Sequence, residues 1–218
     1  MMFMDRADAG RQLAAALLHL KGEQPVVLAL PRGGVPVASE VARILQAPLD
    51  LMLVRKIGAP GHEEYGIGAV ADGAQPVVWI DHEAAALVGA SDAWIDRQTA
   101  RELGEIERRR TLWLGGRPPV AVEQATAILV DDGIATGGTM RAALRSLRRR
   151  APRRVVMAVP VAPPDTLADL EAEADETVCL FAPPLFHAVG MFYEDFHQLT
   201  DDEVAGLLEE AGSFAAGP

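Results

Sequence analysis

Short apolar runs alternate with amphipathic segments along most of the chain. Continuous apolar runs at 25–30, 49–54, 126–130, 154–159 and 176–181 predict buried strands. Segments 5–21, 37–46, 139–150 and 164–174 repeat their apolar residues at helical spacing and predict helices between those strands. This alternation predicts an α/β fold with a mainly parallel central sheet flanked by helices.

The stretch 73–120 interrupts this rhythm. Weaker strands are predicted at 67–71 and 76–80, and one long helix at 92–114, capped by Ser91 or Asp92. We interpret 73–120 as an insertion or lobe within a single domain, 1–218, either over the site or as a dimer contact. Residues 182–210 are expected to form a small hood and a last helix, which begins at the capping box Thr200-Asp-Asp-Glu203.

Composition narrows the function classes. With 50% hydrophobic and 23% charged residues, the 218-residue chain can bury a core and is not disordered as a whole. Its net charge of −11 argues against a general positive field for nucleic acid. The arginine runs at 108–110 and 148–154 end predicted helices, where cations complement the helix dipole, so we interpret them as solvated faces or subunit salt bridges.

Cysteine usage and hydropathy indicate the compartment. Cys179 is the single cysteine of the chain, which excludes an intrachain disulfide and a cysteine-rich zinc module. No apolar run approaches the roughly 18 residues of a membrane span. We therefore expect a cytoplasmic protein that contacts neither membrane nor nucleic acid.

The strongest motif is the string 128–140, Ile-Leu-Val-Asp-Asp-Gly-Ile-Ala-Thr-Gly-Gly-Thr-Met. A predicted strand ends in two carboxylates, and a Gly/Thr loop then leads into a helix, whose first N–H groups suit a phosphate. Asp131 and Asp132 would repel a bare phosphate, so the ligand is expected to present hydroxyls or a divalent cation beside it. An ordinary glycine-rich turn would explain Gly-Gly-Thr alone, but not the whole string.

This string resembles the signature of the type I phosphoribosyltransferases, in which two acidic residues precede a Thr-Gly-x-Thr loop that holds phosphoribosyl pyrophosphate (PRPP). The resemblance implies that Asp131 and Asp132 contact the ribose hydroxyls and that residues 135–139 hold the 5′-phosphate. The implied PRPP-binding set is Asp131, Asp132, Gly133, Ile134, Ala135, Thr136, Gly137, Gly138 and Thr139. The resemblance covers 25–70 and 126–181 and says little about 73–120.

Two further segments follow predicted strands and are basic. The loop Pro31, Arg32, Gly33 and Gly34 resembles the family's pyrophosphate loop, in which the peptide near this position is often cis. Arg32 can fork onto two phosphate oxygens, although an ordinary turn before a helix is the alternative.

The second basic segment is Arg55-Lys56, at the end of the predicted strand 49–54. In the family, a basic pair at this place reaches pyrophosphate from one side, and both residues are candidate catalytic groups. The alternative is a pair of solvated side chains. Lys56 and Lys21 are the two lysines of the chain, and we expect Lys56 to matter more for turnover.

The glycine-rich loop 58–68 resembles the family's mobile catalytic lid. Its Glu64-Tyr65-Gly66 is similar to a motif of adenine phosphoribosyltransferases. Many hypoxanthine–guanine enzymes have an Asp where Ala135 stands, and that Asp is proposed to handle the proton of the base. Because Ala135 cannot do so, Glu64 is the candidate general acid/base, with an exposed loop glutamate as the alternative. The motif similarity implies a purine as the base. The lid is shorter than in the adenine enzymes, so adenine itself is left open.

Aromatic residues are concentrated after the last predicted strand. Phe186, Phe192 and Tyr193 could stack on a base in the hood, and a mini-core that holds the C-terminal segment is the alternative.

The resemblance implies a glycosyltransferase of the pentosyltransferase type, in nucleotide salvage. A nucleobase would displace pyrophosphate from C1 of PRPP, and Mg²⁺ would bridge the pyrophosphate and ribose oxygens. The protein is expected to give Mg²⁺ few direct ligands, with Asp131 and Asp132 acting through ribose hydroxyls or water. We expect a homo-oligomer, a dimer. A PRPP-sensing regulator without turnover and a sugar-phosphate-binding protein outside the family are the alternatives.

Overall fold

The computed structural model describes residues 2–72 and 76–214, with the backbone alone at residues 64 and 212–214. The strands are β1 (Val26–Ala29), β2 (Leu49–Leu51), β3 (Val54–Ala59), β4 (His62–Ala71), β5 (Val77–Ile80), β6 (Thr126–Val130), β7 (Arg154–Val161) and β8 (Glu176–Phe181). The α-helices are α1 (Arg6–Ala16), α2 (Gly34–Leu45), α3 (His82–Leu87), α4 (Asp92–Leu114), α5 (Gly138–Arg149), α6 (Pro164–Glu171) and α7 (Asp201–Phe214). Short 3₁₀ helices lie at Leu18–Glu23 and Val189–Phe192.

Five strands form a parallel sheet in the order β2-β1-β6-β7-β8. Every residue of β1 and β6 is buried, as their continuous apolar runs require of strands covered on both faces. The predicted α/β fold with a parallel central sheet is therefore confirmed. The chain runs from β1 to β2 on one side and returns to β6 on the other, which makes the β1–β6 junction a topological switch point.

Alternating residues of β1 divide the core into two layers. Val27 and Ala29 pack in one apolar cluster with side chains of α1, α2 and α7. Val26 and Leu28 pack in the other cluster, with α5 side chains such as Leu144. Helices thus cover both faces of the sheet. This packing fixes the carboxyl ends of the strands, where the loops begin.

The strands β3, β4 and β5 form a second, antiparallel sheet. The predicted glycine-rich loop at 58–68 is therefore wrong, because most of it is a β-hairpin. Its glycines allow close approach: a Cβ on Gly58 would lie 2.5 Å from the carbonyl oxygen of Glu63, and one on Gly68 would lie 2.4 Å from that of Trp79. The predicted strand at 49–54 is likewise divided, since β2 ends at Leu51 and β3 begins at Val54.

Segment 73–120 contributes β5, α3 and α4, and α4 packs against β3 and β4 of the second sheet. Its description as an insertion or lobe, like that of 182–210 as a hood, stays a prediction. The Ser91 hydroxyl accepts the Trp94 N–H at 3.3 Å and caps α4, as expected.

Two helix boundaries differ from the predicted ones. α1 ends at Ala16 and gives way to a 3₁₀ helix. α2 begins at Gly34, three residues before the predicted start. The helix can include Pro36 because this proline falls in the first turn, where its missing N–H costs no hydrogen bond.

A largely buried arginine joins the two sheets. Arg110 of α4 donates from Nη1 to Asp72 Oδ2 at 2.7 Å and from Nη2 to Asp50 at 3.1 Å. Asp72 also accepts the Leu53 N–H at 3.2 Å and a hydrogen bond from Arg150 at 3.0 Å. The expectation that the 108–110 run is solvated is thus wrong for Arg110, whose side chain is 12% exposed. Along the described ranges, no helix is long and apolar enough to cross a membrane.

Candidate functional site

The loops that follow β1 and β6 meet at the switch point. A Cβ on Gly33 would lie 2.0 Å from Asp132 Oδ2, and a Cβ on Gly34 would lie 2.7 Å from the carbonyl oxygen of Val130. Only glycines allow the two loops to approach so closely. The structure therefore brings together the two motifs that the sequence singled out most strongly.

The Gly/Thr loop after β6 is fixed by hydrogen bonds to neighbouring segments, and several of its residues are exposed. The Ile134 N–H donates to the Val161 carbonyl at 2.9 Å, and the Thr166 hydroxyl donates to the Ala135 carbonyl at 3.1 Å. Gly137 has a φ of 78°, in the left-handed region, and immediately precedes α5. Exposed residues surround this helix start, namely Ala135, Thr136, Gly138 and Thr139. Unpaired N–H groups at such a start bind anions, and two threonine hydroxyls stand beside them.

Asp131 and Asp132 lie half-buried between the two loops. The Asp132 N–H donates to Asp131 Oδ1 at 2.8 Å. Burial raises the pKa of Asp131 well above its ordinary range, and the neighbouring Asp132 charge raises it further. Burial also raises the pKa of Asp132, while Arg6 opposes that rise. Two such carboxylates are suited to accept hydrogen bonds from hydroxyls of a ligand.

The donor set also bears on the metal that the resemblance implies. Among the described side chains, no three His, Cys, Asp or Glu residues come together in a group that could hold a metal ion. Asp131 and Asp132 are the acidic pair next to the Gly/Thr loop. They fit a Mg²⁺ ion that takes most of its oxygen ligands from the substrate and from water.

Sequence reasoning missed Arg6. Its Nε donates to Asp132 Oδ2 at 2.8 Å, and its side chain is 9% exposed. The contact joins residues 126 positions apart, so no local pattern signals it.

Arg32 precedes Gly33 in the loop after β1, and its side chain is 35% exposed. The Pro31–Arg32 peptide is cis, as the resemblance implies. The Arg32 guanidinium donates from Nη1 to the Leu199 carbonyl at 3.0 Å and pairs from Nη2 with Asp201 Oδ1 at 3.2 Å. The Gly34 N–H donates to the Leu30 carbonyl at 3.0 Å and is already engaged. In this structure Arg32 is therefore directed at the first turn of α7.

Arg55 and Lys56 occupy opposite faces of β3. Arg55 Nε donates to Glu102 Oε2 of α4 at 2.8 Å, and Glu102 is buried. Lys56 lines a cavity of about 530 Å³ with Thr136 and Thr139 of the Gly/Thr loop. Lys56 is thus placed beside the Gly/Thr loop, whereas Arg55 is turned towards α4. Glu64 belongs to β4, and its side chain lies outside the described part of the structure.

The hood aromatics divide into two groups. Phe186 and Phe192 stack with ring centroids 5.4 Å apart and are partly exposed. Tyr193 is buried against Phe3 and Phe196, with centroids 5.3 and 5.0 Å away, and its hydroxyl donates to the Asp132 carbonyl. Burial raises its pKa. Tyr193 is therefore part of a mini-core, and base stacking stays a prediction for the other two.

A parallel sheet whose switch point carries an acidic pair and a phosphate-type loop is the fold of the type I phosphoribosyltransferases. The chain belongs to the phosphoribosyl transferase domain family, whose model matches residues 4–189.

Relatives extend this result. A provisionally named phosphoribosyl transferase of Mycobacterium tuberculosis, strain H37Rv, is 45% identical over 210 residues, which make up 96% of this chain and 47% of that protein. The chain thus spans about half the length of the curated relatives it matches.

Solved structures show the same fold. The crystal structure of TT1426 from Thermus thermophilus has a TM-score of 0.83 and 45% identity, over 96% of this chain and 99% of that one. A hypothetical protein from Neisseria gonorrhoeae with bound ppGpp has a TM-score of 0.51 and 14% identity, over 96% and 98%. At that identity the second likeness concerns the fold alone.

Proposed function

We propose that the protein transfers the ribose-5-phosphate of PRPP to a nitrogenous base, a purine, and releases pyrophosphate. The observation that carries this proposal is the meeting of Asp132 with Gly33 and of Asp131 with Gly34, directly beside the Gly/Thr loop. The two carboxylates can accept hydrogen bonds from hydroxyls, and the adjacent loop suits a phosphate. A phosphorylated ribose carries both kinds of group. Family membership supports the reaction class.

In the proposed reaction the bond from C1 to the pyrophosphate oxygen breaks and a bond from C1 to a base nitrogen forms. Residues 135–139 hold the 5′-phosphate, and Asp131 and Asp132 accept hydrogen bonds from the ribose hydroxyls, which fixes C1 for in-line attack. Mg²⁺ bound with PRPP would supply countercharge to the pyrophosphate. Positive charge develops on the ribose in the transition state, and the two carboxylates stabilise it electrostatically.

Cations are needed on the pyrophosphate side. The proposal assigns this role to Lys56 and Arg32, together with the loop Pro31–Gly34. Arg32 must exchange Asp201 for phosphate oxygens, which a fork-shaped guanidinium can bind in pairs. Arg55 is proposed to assist from the far face of β3, and Glu64 to exchange a proton with the base. Phe186 and Phe192 are the candidate base contacts. By resemblance alone, we propose a cytoplasmic homodimer in nucleotide salvage.

The test is incubation with PRPP, Mg²⁺ and a panel of purine and pyrimidine bases, with nucleotide and pyrophosphate measured together. The double variant Asp131→Asn, Asp132→Asn is the matched control, because it keeps both shapes and removes both charges. Equal amounts of nucleotide and pyrophosphate from the wild type alone support the proposal. No nucleotide from any base contradicts the enzymatic function.

A PRPP-sensing protein without turnover is the second candidate. One observation favours it: Arg32 is paired with Asp201, and Arg55 with Glu102, so these two cations assigned to pyrophosphate already have carboxylate partners. Calorimetric PRPP binding without nucleotide formation, together with a partner protein retained only when PRPP is present, would select this candidate.

A further inference from the structure

Arg6 is one of the few buried charged residues of the described chain, at 8% exposure, and it makes contacts with distant segments. Its Nε donates to Asp132 Oδ2 at 2.8 Å, and its Nη1 donates to the carbonyl of His197 at 2.9 Å. The guanidinium carbon lies 3.8 Å from the ring centroid of Phe196, close enough for a cation–π contact. One side chain of α1 therefore joins the ribose-binding carboxylate to the hood.

We propose that Arg6 is a positioning residue that holds Asp132 in the orientation that the ribose hydroxyls of PRPP require. The inference rests on the proposed function. Arg6 occupies Oδ2 of Asp132 and leaves Oδ1 for a ligand. Because its second donor group is bound to the hood, the guanidinium holds Asp132 in one orientation.

The arrangement answers an electrostatic difficulty. Burial disfavours ionisation of both Asp131 and Asp132, and the Asp132 charge further disfavours that of Asp131. Arg6 opposes the effect of burial at Asp132, lowering its pKa. The guanidinium thus compensates part of the cost of placing this carboxylate between the two loops.

The other titratable groups near Asp132 are few in the described ranges. Asp131 lies next to Asp132 at the end of β6, with a pKa that burial raises well above its ordinary range, and the Tyr193 hydroxyl donates to the Asp132 carbonyl from the hood. The imidazole of His197 is turned away, towards Asp195 and Glu203, at 3.1 Å from each carboxylate.

Backbone hydrogen bonds also join the N-terminal segment to the hood close to Arg6. The Phe3 N–H donates to the Phe192 carbonyl at 2.8 Å, and the Glu194 N–H donates to the Phe3 carbonyl at 2.8 Å. The N-terminal segment is thus paired with the hood three residues before Arg6. The side chain and the preceding backbone hold the same part of the hood.

The experiment measures PRPP affinity calorimetrically with Mg²⁺ at one neutral pH for the wild type, Arg6→Gln, Arg6→Lys and Arg11→Gln. Arg11 is the matched control because it lies in the same helix, is exposed, and pairs with Asp8 and Glu40 instead. We expect Arg6→Gln to weaken PRPP binding by tenfold or more. Arg6→Lys should restore part of the affinity, and Arg11→Gln should match the wild type.

A second arm repeats Arg6→Gln in an Asp132→Asn background. If Arg6 acts through the Asp132 charge, its replacement there should change PRPP affinity less than threefold. A loss of affinity that is additive with Asp132→Asn would mean a structural role that does not act through Asp132 and would overturn the proposal. No PRPP binding by the wild type overturns the proposed function as well, whereas binding that Arg6→Gln leaves unchanged overturns the role of Arg6 alone.

Discussion

Arg55 and Lys56 are neighbours in β3 and extend to opposite faces of the strand, Arg55 to Glu102 of α4 and Lys56 to the cavity beside Thr139. Strand geometry dictates this separation, because successive side chains alternate. A basic pair in the sequence thus places its two cations on different sides of the strand, and Lys56 is the one that lies beside the Gly/Thr loop.

Replacing Lys56 should impair turnover selectively. Lys56→Ala is expected to lower kcat/KM roughly a hundredfold, the usual effect of losing one electrostatic donor to a developing charge. Lys21→Ala is the control, because Lys21 Nζ donates to the Ile44 carbonyl at 3.1 Å on an exposed surface. Steady-state kinetics with PRPP measures both, and equal losses in the two variants would remove Lys56 from the site.

Gly33 should tolerate no side chain. In Gly33→Ala, the new Cβ would lie 2.0 Å from Asp132 Oδ2, so the carboxylate must leave its position. We expect PRPP affinity to fall more than tenfold by calorimetry.

The control for that prediction is Gly104→Ala. Gly104 is exposed within α4, and a Cβ there meets no atom within 4 Å. This variant should bind PRPP normally and gain about 1 kcal/mol of stability from helix propensity. Normal PRPP binding by Gly33→Ala would show that the two loops are not held together as described.

Arg110 should be a main contributor to stability. Arg110→Ala leaves Asp50 and Asp72 buried without their shared partner, which costs about 3–5 kcal/mol when a buried ion pair is broken. Urea unfolding measures the loss. Arg108→Ala, at an exposed position of the same helix that pairs with Glu105, should leave the midpoint nearly unchanged. Similar midpoints for the two variants would contradict the buried network.

The capping box of α7 should give a pH-dependent contribution. The Thr200 N–H and hydroxyl each donate to Glu203 Oε2 at 2.7 Å, and these bonds, with His197, lower the pKa of Glu203 to about 2. Because the folded pKa lies below the ordinary 4.5, the stabilisation is present above pH 4.5 and is lost as the pH falls towards 2.

Thr200→Ala should therefore lower Tm by about 2–4 °C at pH 7, the equivalent of one helix cap in a chain of this size. The difference from the wild type should shrink as the pH falls below about 4.5. Calorimetric scans across pH measure this, with Thr111→Ala, inside α4, as the control. A difference that stays constant down to the lowest pH of the scan would contradict the role of Glu203.

The sequence allowed the parallel sheet and its two loops to be predicted because their signals are local. Continuous apolar runs mark β1 and β6, and a carboxylate pair before a Gly/Thr loop marks the ligand end. The β3–β4 hairpin was missed because glycines that permit close strand approach look like loop residues. Arg6 and Arg110 were missed because each acquires its role from carboxylates far away in the chain.

The crevice draws on the whole length of the chain: Arg6 comes from the first helix, Asp132 from the middle, and the His197 carbonyl from the last tenth. During synthesis, a ribosome-bound chain that has emerged only as far as α6 would contain the Gly/Thr loop but not the segment that braces Arg6. The crevice can therefore be completed only after residue 197 has left the ribosome, later than the Gly/Thr loop itself.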